Sequence, residues 1–484
     1  MPTPHSIFSL LLLLPSALSL QPSSLPSSPP SEDSLRQRIS LALADANALD
    51  EKNALRFGTD DNFLLRPGLL ADRKSRVITL SAHATGLSGN DPIEFFLIGP
   101  ASGKDYESLA VSFAKPSDVR AALEFLGMPP GRPVNYAKSH FIPKGERVRM
   151  TFRWEEPSPD GNVSQRSARV EELLLLRDPG GKPSDRTLPL VGLVFTGGRF
   201  LPPEAPGQPP RFLGDLGDPG AIATNYNDPT TVLDFPAFAR QSEVYRTRVI
   251  NPAAQLAPGQ PLTITLEPDR QPDAPPRVLD LALTVSGAAT SDLKDLAFTL
   301  TPAGGTPLTT SAPAADLLAA LTQLATDHRE PFVTVLPSPD LPLSTVRKLY
   351  ALLSALQTDN GIRLEPPSGI SPAHPYFESF LPDEARRDPA KRLWQPVELR
   401  LSANGTATLR DYQDNNLAAP GDPRFTSQDT PIPTPADLET LLAARQDQRR
   451  PLAIYAPANL PYQSLLKWTP PALEQDWILW IYLE

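Results

Sequence analysis

The sequence predicts an α+β protein: a sheet-rich N-terminal domain followed by two tandem small α/β two-layer sandwiches. Three observations predict it. Apolar runs with a two-residue period recur through the first half. One pattern of segments occurs twice in the second half. The 59 prolines among 484 residues fall mostly between apolar runs, where they mark turns and rigid loops. At roughly 150 residues per domain, the length suits about three domains.

Residues 1–19 read as a cleavable signal peptide. Ile7-Phe8-Ser9-Leu10-Leu11-Leu12-Leu13-Leu14 is its apolar stretch, and Ala17-Leu18-Ser19 supplies the small residues that a signal peptidase inspects. Only His5 stands where such signals carry positive charge. The apolar stretch is shorter than the ~20 residues a bilayer crossing needs, so the expected product is exported, to the periplasm or beyond, with no membrane span. Residues 20–34 form a Pro/Ser-rich tether. Leu35, Ile39, Leu43 and Leu49 then predict an amphipathic helix over 35–57. A net charge of -10 argues against a nucleic-acid partner, which demands clustered Lys and Arg. With no cysteine, the chain has no disulfide, thiolate metal site or thiol nucleophile.

The first domain is expected over 58–251. Val77-Ile78-Thr79-Leu80 and Ile93-Glu94-Phe95-Phe96-Leu97-Ile98 read as strands, and Val119, Ala122, Leu123 and Leu126 as the apolar stripe of a short helix closed by Gly127. Val148, Met150, Phe152 and Trp154 alternate with Arg147, Arg149, Thr151 and Arg153, the period of a strand with one buried and one wet, basic face. Leu173–Leu176 and Val191–Phe195 are expected to continue the same sheet. The run Ile93–Ile98, the stretch Gly103-Lys104-Asp105-Tyr106-Glu107-Ser108-Leu109, the helix end Ala122–Gly127, Asn227-Asp228-Pro229 and Leu233-Asp234-Phe235-Pro236 resemble the YdjY-like domain of bacterial envelope proteins. The resemblance implies no defined chemistry. Where the family pattern has a histidine before the glutamate, this chain has Tyr106, which argues against a metal or proton-transfer role there.

Ser311–Leu318 parallels Thr434–Leu438, each with a hydroxyl residue placed to cap a helix. Pro331-Phe332-Val333-Thr334-Val335 parallels Pro451-Leu452-Ala453-Ile454-Tyr455, and Asp340-Leu341-Pro342-Leu343 parallels Asn459-Leu460-Pro461-Tyr462. Upstream, Leu296–Thr301 is set against Val397–Ser402, each ahead of a glycine. Each copy therefore reads strand, strand, helix, strand, helix, strand, over 262–367 and 395–484, and the two are expected to pack as a pseudo-dimer within the chain. The strand, Pro-Asp-Leu-Pro-Leu and the helix Ser344–Leu356 resemble the periplasmic domain of the ExbD/TolR family of biopolymer-transport proteins. Those proteins couple to proton flow through a membrane helix that this pattern lacks, so the resemblance implies binding or pairing rather than force transduction.

Gly99–Asp105 falls one residue short of a phosphate loop and carries Asp105 where a hydroxyl would hold magnesium. Read as a strand, Lys104, Tyr106 and Ser108 share one side, which admits a Lys–Ser nucleophile pair, while Glu107 points away. Asn227 and Asp228 could line a cation or sugar site, or simply form the turn before Pro229. His83, His140, His328 and His374 lack the spacing of metal ligands. Trp477, Trp480 and Tyr482 lie in a run apolar on both faces, expected to be a strand buried between layers. No cofactor is expected and no catalytic residue is assigned. The expected role is binding or scaffolding with an envelope protein or cell-wall component as partner, and Glu94, Lys104, Tyr106, Glu107, Ser108, Asn227 and Asp228 are the candidate binding residues. An exported hydrolase or glycan-active enzyme sited in the first domain, and a peptidoglycan-binding protein, stay open beside it.

Overall fold

The computed structural model describes residues 31–484, apart from 136–139, 158–161, 179, 206, 218, 238, 240, 271–273, 289–292, 327–328, 355–360, 368–395, 415–424, 446–451, 471, 473–476 and 478. The expected signal peptide, most of the tether, His328 and His374 lie outside the described residues. The protein is α+β with a sheet-rich body.

The N-terminal sheet closes on itself. Its strands are β1 (Phe63–Arg66), β2 (Leu69–Asp72), β3 (Val77–Ala84), β4 (Phe95–Ile98), β5 (Ser108–Ser112), β6 (Arg147–Pro157), β7 (Val163–Arg169), β8 (Leu193–Phe195), β9 (Ala221–Thr224), β10 (Leu233–Asp234) and β11 (Pro261–Pro268). They run β1-β2-β3-β11-β6-β8-β10-β9-β4-β5, with β7 paired to the later residues of β6, and β5 returns to pair with β3. The pairs Ala82–Ser112, His83–Val111 and Ala84–Ala110 close the ring. Alternation along the strands fills the interior: Ile78, Leu80 and Ala82 of β3, Leu262, Ile264 and Leu266 of β11, and Val148, Met150, Phe152 and Trp154 of β6 are all buried in one core. Burying each of the Val, Leu, Ile, Met and Phe side chains among them contributes roughly 1.5–3 kcal/mol.

Three sequence expectations change here. Strand β11, assigned from sequence to the first tandem unit, lies between β3 and β6, with Ile264 opposite both Leu80 and Phe152. The N-terminal domain therefore runs past 251 and reclaims the chain up to Pro268, because only this strand bridges the gap between β3 and β6. Leu174–Arg177 does not continue the barrel. It pairs with Pro183–Thr187 and Arg248–Ile250 in a separate small sheet. On the outer face of β6, Arg147 is not wet but buried.

Helix α1 (Glu32–Phe57) is capped by the Ser31 hydroxyl, which accepts from Ser34 N. Its only buried side chains are Ala42 and Ala46, and Leu43 and Leu49, expected on the buried face, are exposed. The helix turns small residues to the barrel because it lies close: a Cβ on Gly259 would sit 2.9 Å from Arg38 Cβ. Helix α2 (Pro116–Phe125) buries Val119, Ala122 and Leu123, and the positive φ of Gly127 ends it as expected. Helix α3 (Gln241–Thr247) leads straight into the small sheet.

The two copies share one topology. The first has β12 (Val278–Ser286), β13 (Ala297–Pro302), β14 (Thr309–Ala312), α4 (Ala314–Thr326), β15 (Glu330–Pro337), α5 (Leu343–Ser354) and β16 (Arg363–Glu365). The second has β17 (Val397–Leu401), β18 (Ala407–Asp414), β19 (Phe425–Ile432), α6 (Pro435–Ala443), β20 (Leu452–Ala456), α7 (Tyr462–Leu466) and β21 (Leu479–Leu483). The sheet orders β14-β13-β12-β15-β16 and β19-β18-β17-β20-β21 are the same, as are the parallel and antiparallel senses. Each copy has one strand more than the sequence pattern showed. The counterpart of β17 is β12, not Leu296–Thr301, because β12 and β17 each pair in parallel with the strand that follows the first helix. The match of Pro331–Val335 to Pro451–Tyr455 also slips by one. Leu281 lies opposite Val333 as Val397 lies opposite Leu452, so Val333 aligns with Leu452, and a one-residue slip turns every side chain to the other face. Ser311, expected to cap α4, lies in β14, whereas Thr434 caps α6 in a reciprocal box with Asp437.

The copies meet through their strand-to-helix turns. Leu343 N donates to Leu460 O at 2.9 Å and Tyr462 N to Leu341 O at 2.8 Å; Ser344 N donates to Ala458 O at 2.9 Å and Gln463 N to Pro339 O at 2.8 Å. With Asp340 aligned to Asn459, each bond in these pairs maps onto the other, and Pro342 lies opposite Pro461. Side chains of both copies form one continuous core, including Leu341, Leu343, Val346, Leu460, Tyr462 and Leu465. Replacing the fully buried Leu341 by alanine should lower unfolding stability by about 2–5 kcal/mol in a urea titration of the full chain. A loss below about 1 kcal/mol would show that the joint contributes little.

Candidate functional site

The candidate residues gather at one end of the barrel, where β4 and β5 begin and β9 ends. Glu94 immediately precedes β4, Glu107 immediately precedes β5, and Asn225 immediately follows β9. Glu94 N donates to Glu107 O and Asn225 N to Glu94 O, so the two parallel strands and the antiparallel one hold these side chains close together. Helix α3 and the small sheet cover them. Gln241 Nε2 reaches both carboxylate oxygens of Glu94 at 2.8 and 2.9 Å, and Arg248 donates to the carbonyl and side-chain oxygens of Asn225 while lying 4.1 Å over the Phe235 ring.

Asp105–Glu107 is a turn of 3₁₀ helix, not part of a strand. Glu107 therefore does not point away from Lys104. Lys104 Nζ lies 3.0 Å from the Tyr106 hydroxyl and 3.2 Å from Glu107 Oε1. These contacts, the Tyr106 hydrogen bond first, push the Lys104 pKa up and keep its charge. Ser108 is fully buried, and its hydroxyl donates to the Lys104 carbonyl at 2.5 Å. A Lys–Ser nucleophile pair does not form, because each partner is committed elsewhere. Tyr106, 58% exposed, is the outermost member, whereas Glu94 is 2%, Asp228 5% and Glu107 7% exposed.

Asn227 and Asp228 are buried with the others and serve to tie loops. Asn227 Nδ2 donates to Phe235 O at 2.9 Å, and its Oδ1 accepts from Ala239 N at 2.8 Å. Asp228 accepts from Thr230 N and Oγ1 at 2.7 and 2.6 Å, and from the Tyr226 hydroxyl at 3.1 Å. Burial pushes the Asp228 carboxyl up against these bonds. Asp234, which sequence reasoning did not single out, is fully buried in β10. Its Oδ1 accepts from Phe235 N at 2.7 Å, its Oδ2 has no hydrogen-bond partner among the described residues, and burial drives its carboxyl well above the usual range.

Glu94 is the group poised to titrate. Burial raises its pKa to about 7, Glu107 and Asp228 add to the rise, and Gln241 and Lys104 oppose it. A carboxyl that titrates near neutrality among other acids is what a general acid or base needs, but Glu94 is buried. A neighbouring cavity bordered by Asn90–Ile93, Leu174, Val244, Tyr245, Arg248 and Val249, without Glu94 in its lining, has about 10 Å³, room for roughly one water. Among the described residues, no three His, Cys, Asp or Glu side chains could hold a metal ion, and no helix is long and apolar enough to cross a membrane. His83 is buried 5.7 Å from the Phe113 ring, and burial lowers its pKa. Gln241 and Arg248 also escaped sequence reasoning, since neither lies near the acids in the chain. Tyr482 departs from its expected place: β21 is an edge strand, and Tyr482 stacks on Tyr455 at 5.0 Å with Arg400 4.6 Å over the far ring. Leu479 faces the core.

Comparison with protein-family models, curated proteins and solved structures returns no match.

The Glu94 environment makes stability depend on pH with a defined sign. Its native pKa lies above the ordinary value of 4.5, so the folded protein holds the proton more tightly than the unfolded chain. Stability should fall by about 3 kcal/mol as pH rises from 4.5 to 7 and then level off as far as this group is concerned. In Glu94→Gln this portion of the profile should be absent when denaturant unfolding is followed across the same range. Superimposable profiles for the two proteins would refute the assignment.

Proposed function

We propose that this chain is an exported, non-catalytic binding or scaffolding protein of the cell envelope, working beside a biopolymer-transport-like machine. The observation that carries the reading is the reciprocal joint between the two copies. A pair of like units that would otherwise meet by association is supplied here within one chain, sharing a core and four matched main-chain hydrogen bonds. Pre-assembly removes the entropic cost of bringing two such units together, which suits a partner that must contact both at once. The resemblance of the tandem units to ExbD/TolR periplasmic domains, and of the first domain to YdjY-like envelope domains, points to the same compartment. The candidate acids support a structural role: they are buried beneath Gln241, Arg248 and Tyr226 and hold loops together.

The joint supplies the test. Photo-crosslinking residues placed at exposed sheet positions such as Thr430 and Leu336 should give discrete adducts with an envelope component in living cells, and Leu341→Asp should abolish them while the barrel stays folded by circular dichroism. Adducts that persist after the joint is broken would end the reading of the pair as the functional unit.

A second reading, an exported hydrolase or glycan-active enzyme, draws on Glu94 lying in electrostatic reach of Glu107 and Asp228 with a pKa of about 7. It requires α3 to lift from Glu94. An activity found with envelope-glycan or ester substrates that falls at least ~100-fold in Glu94→Gln would replace the first reading with this one.

A further inference from the structure

The barrel and the first copy meet through charge. The two ends of the excursion between Gly131 and Gly145 lie against the barrel, since Gly131 N donates to Phe195 O at 3.1 Å and a Cβ on Gly145 would fall 2.1 Å from the same oxygen. From it and from the start of β6, Arg132, Lys144 and Arg147 reach across to the sheet of the first copy. Arg147, 2% exposed, places its guanidinium on Glu330 at 2.7 and 2.8 Å from Nη2 and 3.2 Å from Nε. Glu330 also faces Arg363 at 3.0 Å and Arg277 at 3.6 Å. Around this centre Arg132 pairs with Glu365, Lys144 with Asp280 at 2.5 Å, and Arg277 with Asp269 at 3.2 Å. Glu146 lies 3.4 Å from Arg270 and accepts from Arg277 N.

The apolar part of this contact is small: Phe141, Ile142 and Phe332, with Val278 against them, form a cluster separate from the barrel core and from the tandem core. Arg132 and Lys144 both lie 5.4 Å from the Phe332 ring. Glu330, Phe332, Arg363 and Glu365 all sit at one end of the sheet, and Phe332 faces away from the helices, whereas Val333 and Val335 face them. The barrel thus covers one end of the helix-free face of the first copy.

We infer that this contact is a releasable ionic clasp, which opens in acid or at high ionic strength and uncovers the Phe332 end of the first copy's sheet. Three features carry it. Covalent continuity across the contact is confined to Asp269–Arg277. The interface is held by charges: salt screens the more exposed pairs around the centre, Lys144–Asp280 and Arg277–Asp269, and protons neutralise the carboxylates, where the joint between the copies is held by apolar packing and main-chain bonds, which neither reaches. The clasp is also specific to one copy. With Asp340 aligned to Asn459, Glu330 corresponds in sequence to Arg449 and Phe332 to Pro451, so the acidic and aromatic residues of the clasp are not repeated in the second copy's sequence. Burial pushes the Glu330 carboxyl up, but Arg147, Arg363 and Arg277 outweigh it and hold the pKa below the ordinary value of 4.5. The stabilisation is therefore present above that value and lost as pH falls through the lower native one.

Hydrogen–deuterium exchange of the full chain reads the clasp directly. Glu330→Gln should speed exchange in 132–135, 140–147 and 330–335 on the order of a hundredfold, because a buried guanidinium loses its counter-charge, while 341–344 and 460–463 stay protected. If that variant fails to fold, the same pattern should appear in the unmodified protein in about 1 M salt, where the screening length falls to ~3 Å, and in Lys144→Met to a smaller degree. Exchange unchanged in both salt and Glu330→Gln would overturn the clasp, as would exchange that rises equally on both sides of the joint between the copies.

Discussion

The pairing of β5 with β3 is the constraint on which the N-terminal domain rests. Without it, β1 to β11 would be an open sheet with two long edges. With Ala82 opposite Ser112 and Ala84 opposite Ala110, the sheet becomes a ring with an enclosed interior, and among its described strands only β1 and β7 remain paired on one side. At one rim β4 lies between β5 and β9 through its own pairings with each. Glu94, Glu107 and Asn225 lie together because each sits one residue outside one of these three adjacent strands.

That rim is a site where burial does the chemistry. Acids separated by more than a hundred residues in the chain are packed under a short helix and a small sheet, and they are answered by Lys104, by side-chain amides and hydroxyls and by backbone N–H groups. Such an arrangement fixes loops. It would become a reactive site only with the cover displaced, which ties any catalysis to motion of α3.

Along the chain, interfaces of different character follow one another. The copies are joined by Leu, Val and Tyr side chains and by backbone bonds that exchange under the repeat. The barrel is joined to the first copy by guanidiniums and carboxylates. A molecule built this way has one stiff joint and one that answers to solution conditions. The asymmetry arises from a few positions, since Glu330 and Phe332 are replaced in the second copy's sequence by Arg449 and Pro451.

Local patterns determined much of this. Alternation marked β6, and a helical stripe ended by a glycine marked α2. The recurrence of Asp340–Leu343 as Asn459–Tyr462 exposed the duplication, and those turns proved to be where the copies meet. What only the tertiary structure decided is whatever depends on pairing between distant segments. The strand Pro261–Pro268 reads from sequence as the start of the first tandem unit until Ile264 is seen between Leu80 and Phe152. A strand period put Glu107 on the wrong side of Lys104, because a single 3₁₀ turn reverses the alternation. Arg147 reads as a wet cation until Glu330 meets it. Asp234, Gln241 and Arg248 carried no local signal at all, because a buried polar group is defined by what covers it, and its cover comes from elsewhere in the chain.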